Sequence, residues 1–181
     1  MSKKVVVLNG SPVAGGCSET LSDYLIQGVQ ENGNTAVKMN LSKMNLHPCI
    51  GCNGCKMGKG NPCVQNDDMT EVYQVIQRAD VIVWASPLYW MQFSAQIKMV
   101  MDRLYALSPE SIANKQVALL AAAASPAEAI ENTLLPYYQM CFGQSLGWKD
   151  AGSVLAGGVF GPGDVEKTPY AQQAYELGKS L

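Results

Sequence analysis

The sequence predicts one α/β domain built on an open, doubly wound sheet of five parallel strands with helices on both faces. Three observations predict it. Short unbroken apolar runs alternate with stretches of helical apolar spacing, the first run empties into a glycine-rich loop, and no repeat, low-complexity tract or linker divides the 181 residues. That length suits a single domain, and 48% hydrophobic against 15% charged residues is enough apolar material for one core.

The runs are continuous rather than alternating, the pattern of strands covered on both faces. The first spans residues 3–9 and gives way to the loop 10–18. Leu21, Tyr24, Leu25 and Val29 then mark a helix that stops near Asn32 and Gly33, and a second strand follows at 35–39. An irregular stretch, 42–66, holds a cysteine-rich insertion at about 45–66. Loops of that length in compact domains are usually functional. Asp67, Asp68 and Glu71 provide N-terminal chemistry for a helix to about Arg78, before a third strand at 80–85. Phe93, Ile97, Val100, Met101 and Leu104 predict the next helix, 116–123 a buried strand, 127 to about 143 another helix, 152–159 the last strand and 168–180 a closing helix.

Charge and hydropathy exclude other classes. Thirteen Lys and Arg against fifteen Asp and Glu give a net charge of −2 with no basic run to track phosphates, so nucleic acid is not expected as a ligand. The longest apolar stretch, 117–124, is far short of the roughly 18–20 residues of a membrane span. The first residues have no signal-peptide profile, so a cytoplasmic location is expected. Six cysteines in that compartment should not form structural disulfides.

The first loop looks like an anion cradle. Gly10, Gly15 and Gly16 permit close backbone approach, Ser11 and Ser18 add hydroxyls, and the following helix turns its N–H groups toward the same point. The spacing matches neither the triphosphate loop nor the dinucleotide fingerprint, which favours a monophosphate. A plain tight turn explains the same composition equally well. Ligands of such sheets sit beyond the strands' carboxyl ends. The loop after the third strand carries Pro87, Leu88, Tyr89 and Trp90, a flat apolar surface. The loop after the fourth, with Ala124 and Ser125, has side chains small enough for a ring system to approach. A phosphate at one end and aromatic packing at the other suit flavin mononucleotide (FMN).

Three segments carry a resemblance: Gly10-Ser-Pro-x-x-Gly-Gly-x-Ser-Glu-x-Leu21, Ser86-Pro-Leu-Tyr-Trp90 and Gln96-Ile-Lys-x-x-x-Asp-Arg103. Together they resemble the flavodoxin-like NAD(P)H-dependent FMN reductase family, specifically its iron–sulfur flavoprotein branch. The resemblance implies a flavodoxin-like fold, FMN phosphate at Ser11, Pro12, Gly16, Cys17 and Ser18, and the flavin ring against Pro87, Leu88, Tyr89 and Trp90 with Ala124 and Ser125 nearby. It also implies NAD(P)H or a ferredoxin-like electron donor and a homodimer or homotetramer, with an interface expected at the cysteine loop, Tyr89 and Trp90. Val13 and Cys17 depart from the family, which often has a basic residue and an asparagine there. Weaker phosphate affinity is the expected consequence.

Cys49, Cys52, Cys55 and Cys63 bring four soft thiolates together, with Gly51 and Gly54 to let the backbone wrap. Successive two-residue gaps suit a [4Fe-4S] cluster. Structural zinc and an unmetallated loop are the alternatives. His47 is expected to pack in the loop, Cys141 in the core, and Lys98, Asp102 and Arg103 to form an ion-pair network on their helix. The chemistry is expected at the flavin, with no amino-acid nucleophile or general base. The expected function is electron transfer between FMN and a [4Fe-4S] cluster; the alternatives are a cluster-free NAD(P)H-dependent FMN or quinone reductase and a non-catalytic flavin or metal module.

Overall fold

Five strands form a single parallel sheet in the computed structural model, which describes residues 2–59 and 62–181. They are β1 (Lys4–Asn9), β2 (Thr35–Asn40), β3 (Val81–Pro87), β4 (Gln116–Ala122) and β5 (Lys149–Ala156), in the spatial order β2-β1-β3-β4-β5. This is the flavodoxin-like order. β1 lies between β2 and β3, with Val5 opposite both Ala36 and Val81, so the chain reverses its direction of winding between β1 and β3. The loops leaving those two strands therefore diverge around one crevice.

The alternation along each strand divides the core into two layers. Val5 and Val7 of β1, with Val81 and Val83 of β3, pack beneath α1 (Cys17–Glu31) and α6 (Tyr170–Ser180). Val6, Leu8, Ile82 and Trp84 face α2 (Met69–Arg78) and α3 (Ala95–Arg103). On that second face Trp84 stacks on Phe142 at 4.8 Å between ring centroids, and Phe142 on Trp148 at 5.6 Å. Among the described residues no helix is long and apolar enough to cross a membrane.

α1 and α6 meet backbone to backbone through two glycines. A Cβ on Gly178 would lie 2.0 Å from the Leu25 carbonyl oxygen, and one on Gly28 would lie 2.1 Å from that of Tyr175. Neither obstacle is a flexible side chain, so the helices must separate to admit a larger residue. Gly178→Val is expected to cost about 3 kcal/mol by overpacking. Gly143→Ala, where a Cβ meets nothing within 4 Å, should stay within about 0.5 kcal/mol. Urea unfolding of the two variants checks the contrast.

Two boundaries differ from expectation. The helix expected over 127–143 is divided into α4 (Ala127–Glu131), α5 (Leu134–Tyr138) and a π-helical turn at Gln139–Ser145. Pro136 explains the division: it is tolerated in the first turn of a helix but not in the middle of one. β5 begins and ends three residues earlier than expected. It starts early because a bulge opposite Val117 and Ala118 absorbs Ala151, with Gly152 at φ +124°. It ends early because Gly157 packs flat against the chain at Ala127, where a Cβ would lie 2.1 Å from the backbone nitrogen.

Candidate functional site

The loop after β1 is fixed at both ends. Gly10 N–H donates to the Ala85 carbonyl at 2.8 Å, and the loop passes so close to the start of α3 that a Cβ at Gly10 would meet Ile97 and the Ser94 hydroxyl at 2.5 Å. Ser11 Oγ accepts the Val13 N–H at 3.2 Å and tightens the turn. α1 begins at Cys17 with Gly16 as its cap and no side-chain cap. Its first intrahelical bond runs from Thr20 N–H to Gly16 O at 2.9 Å, so the N–H groups of Cys17, Ser18 and Glu19 have no partner within the helix. Beside them Ser18 is 1% exposed, and its hydroxyl has no hydrogen-bond partner among the described residues. A buried hydroxyl without a partner is costly, and one at a helix N-terminus is placed to receive an anion.

A cleft of about 300 Å³ opens next to this point. The β3 loop forms one wall: Ser86 Oγ accepts Ser94 N–H at 3.0 Å, and Leu88 N–H donates to Ala122 O at 2.8 Å. The loop after β5 forms the other, with Val159 N–H donating to Ala123 O at 3.0 Å. The Asp164 carboxylate shapes its tip by accepting the N–H groups of Phe160 and Gly161 at 3.0 and 3.1 Å.

Of the candidate cofactor residues, the cleft brings together Ser11, Gly16, Cys17, Ser18, Pro87, Leu88, Tyr89 and Ala124. Pro12, Trp90 and Ser125 lie off its lining. Trp90 is 98% exposed at the tip of a tight turn closed by Tyr89 and Gln92, with Trp90 and Met91 both at positive φ. Ser125 instead accepts Gly158 N–H through its carbonyl at 2.9 Å. Phe160 and Gly161 also line the cleft; they lie in the loop after β5, outside the three loops, after β1, β3 and β4, expected to converge there. Among the described residues no charged side chain lines the cleft. Burial, and then the Asp164 charge, push the Cys17 thiol up, and its Sγ donates to Gly161 O at 3.2 Å. It is a neutral donor tying two walls together.

The four loop cysteines line a second cavity, also of about 300 Å³, with Tyr73, Arg103 and Tyr105. Cys49 and Cys52 are exposed, Cys55 and Cys63 half-buried. Among the described residues no three His, Cys, Asp or Glu side chains are gathered closely enough to hold a metal ion. The donor set therefore has the chemistry of an iron–sulfur site and shares one cavity, without a closed ligand shell.

The base of this loop is clamped by two aspartates. Asp67 Oδ2 accepts His47 N–H at 3.0 Å and lies 3.2 Å from its Nδ1, while Asp68 Oδ2 accepts Asn45 N–H at 2.7 Å. Arg103 Nη1 donates to Asp67 Oδ2 and, at 3.1 Å, to His47 O. Lys98 and Asp102 pair on the helix as expected, but Arg103 turns inward to Asp67, 36 residues away in sequence. Burial alone would push the Asp67 carboxyl up; the Arg103 and His47 N–H groups hold it below the usual carboxylate range. The same balance acts on Cys63, where burial is outweighed by the Gln65 N–H and the Arg103 guanidinium, so the thiol lies below its ordinary value. Burial pushes Tyr73 up to about 12, leaving it a neutral donor to Arg103 O at 3.1 Å. Cys141 is half-buried at the edge of a neighbouring apolar cavity rather than fully in the core.

Known proteins share this architecture. The NAD(P)H:quinone oxidoreductase of Methanothermobacter marburgensis superposes with a TM-score of 0.75 at 19% identity, covering 100% of this chain and 98% of that one. An FMN-dependent NADH-azoreductase of Bacillus anthracis, solved with FMN, gives 0.72 at 17% identity, covering 97% of each. In sequence, an iron–sulfur flavoprotein of Archaeoglobus fulgidus is 33% identical over 101 residues, 56% of this chain and 45% of that protein. One of Methanosarcina thermophila is 30% identical over 112 residues, 62% and 58%. The matches thus span about half the length of these relatives. The family described as NADPH-dependent FMN reductase matches residues 3–147, and with most of the domain so covered the chain belongs to that family.

Proposed function

We propose that this protein is a flavin-dependent oxidoreductase that binds FMN in the cleft between the β1, β3 and β5 loops and a [4Fe-4S] cluster on Cys49, Cys52, Cys55 and Cys63. The observation that carries the flavin site is the buried Ser18 hydroxyl without a partner, beside the free N–H groups of α1 and next to an uncharged cleft. Those groups hold a phosphate by dipoles rather than cations. Pro87, Leu88 and Tyr89 orient a planar ring against β3, and Phe160 keeps water from its other side. The cluster reading is supported by the four thiols lining one cavity and by the names of the relatives. FMN supplies both one- and two-electron chemistry and a cluster supplies one-electron steps, so the chain's own work is placement and exclusion of water. The donor is NAD(P)H or a ferredoxin-like protein. The exposed Tyr89 and Trp90 and the cysteine loop form the contact of a homodimer or homotetramer. The second reading, a cluster-free NAD(P)H-dependent FMN or quinone reductase, is supported by the family's description as NADPH-dependent FMN reductase.

Protein purified without oxygen decides between them through its visible spectrum before and after reduction, with iron and sulfide analysis. Flavin bands on a broad brown absorption, with iron and sulfide in equal amounts, support flavin plus cluster. Flavin bands alone establish the second reading, and no flavin after added FMN overturns both.

A further inference from the structure

Arg103 holds more hydrogen-bonding capacity than its surroundings use. Its side chain is 2% exposed, and Nη1 alone serves Asp67 and the His47 carbonyl. Nε and Nη2 are buried and have no partner among the described residues, although a guanidinium carries five N–H donors and pairs nearly all of them when buried. Arg103 lines the cysteine cavity. The Asp67 carboxylate, fully buried, neutralises the charge from one side and fixes the plane of the fork. What remains is a pair of unused donors on a cation that lines the same cavity as the four thiols.

We propose that Arg103 is a positioning residue of the cysteine cavity, its Nε–H and Nη2–H groups completing their hydrogen bonding on the sulfur of a cluster held by the four cysteines. This rests on the cluster reading above. Hydrogen bonds to cluster sulfur, and nearby positive charge, favour the reduced and more negative state and raise the reduction potential. Asp67 and His47 then act through Arg103, holding it in place. A purely structural Arg103 would serve Asp67 and the loop base and leave the potential untouched.

Lysine at this position separates the two roles. Arg103→Lys keeps a cation for Asp67 but replaces the planar fork with a single nitrogen that cannot also reach the cavity. The test uses the whole protein reconstituted without oxygen. The chain has two arginines, Arg78 and Arg103, and Arg78 is exposed at the end of α2. Guanidino-15N arginine therefore marks one buried site. Pulsed electron paramagnetic resonance of the reduced cluster is expected to show 15N coupling in the wild type and none in Arg103→Lys. In that variant the reduced-to-oxidised ratio at a fixed potential should fall about tenfold, equivalent to about 59 mV for one electron. Iron-replete wild type without 15N coupling overturns the role of Arg103 and leaves the cluster reading standing. Wild type that takes up no iron overturns both. If Arg103→Lys fails to fold, the labelled wild type alone decides.

Discussion

Ser18→Ala is expected to weaken FMN binding about tenfold to a hundredfold, the worth of one hydrogen bond to a charged group, while riboflavin binding changes less than about twofold. The contrast follows from where Ser18 sits. Its hydroxyl lies at the first turn of α1, while the ring wall is built from the β3 and β5 loops. Riboflavin lacks the phosphate that the hydroxyl would meet. The same substitution should leave the stability of the flavin-free protein equal or slightly higher, because it removes a buried polar atom that has no partner. Opposite signs for binding and stability are the mark of a group placed for a ligand rather than for the fold. Flavin fluorescence titrations and urea unfolding measure the two. Equal losses for FMN and riboflavin would instead mean that Ser18 shapes the cleft as a whole, and the phosphate assignment would fall.

The parallel doubly wound sheet and the position of the crevice are legible in the sequence because each rests on patterns along the chain. A run such as Val5 to Leu8 is buried on both faces and so reads as apolar throughout, and the glycine-rich loop after β1 leads directly into the first turn of α1. What is not legible involves distance. Arg103 looks like a helix-surface charge beside Lys98 and Asp102, and only the packing of α3 against the cysteine loop turns it toward Asp67. Trp90 looks like a ring-stacking residue by its neighbours Pro87 and Tyr89. The turn at Trp90 and Met91 takes positive φ at both residues and swings the indole away from the cleft. The break in the helix after β4 was signalled by Pro136, which outweighs the apolar periodicity around it. Phe160 had no signal of its own, since its place depends on where β5 stops, and that is set by the flat contact of Gly157 against Ala127.

Asp67→Asn should lower stability by about 3–5 kcal/mol at neutral pH, the cost of stranding one partner of a buried ion pair. The side chains of Asp67 and Arg103 are 0% and 2% exposed, so neither solvent nor salt can replace the lost charge. The amide can still accept one hydrogen bond, so the loss is chiefly of charge. The pH dependence distinguishes this from a packing defect. The Asp67 carboxyl lies below its unfolded value of 3.8 in the folded protein, so its contribution is fully present above about pH 4 and is lost as pH falls through the lower folded value. The difference between wild type and variant should therefore be largest at neutral pH and shrink in acid, where the wild type also loses the charge. A difference that stays constant with pH would assign the loss to packing. The damage should also be local before it is global. Asp67 bonds His47 on the far side of the loop, so its loss opens the base of residues 45–66 while Asp68 still holds Asn45. Amide exchange in that loop should rise in Asp67→Asn before exchange in β1 and β3 does, because those strands are buried under both layers of the core and open only with the whole domain.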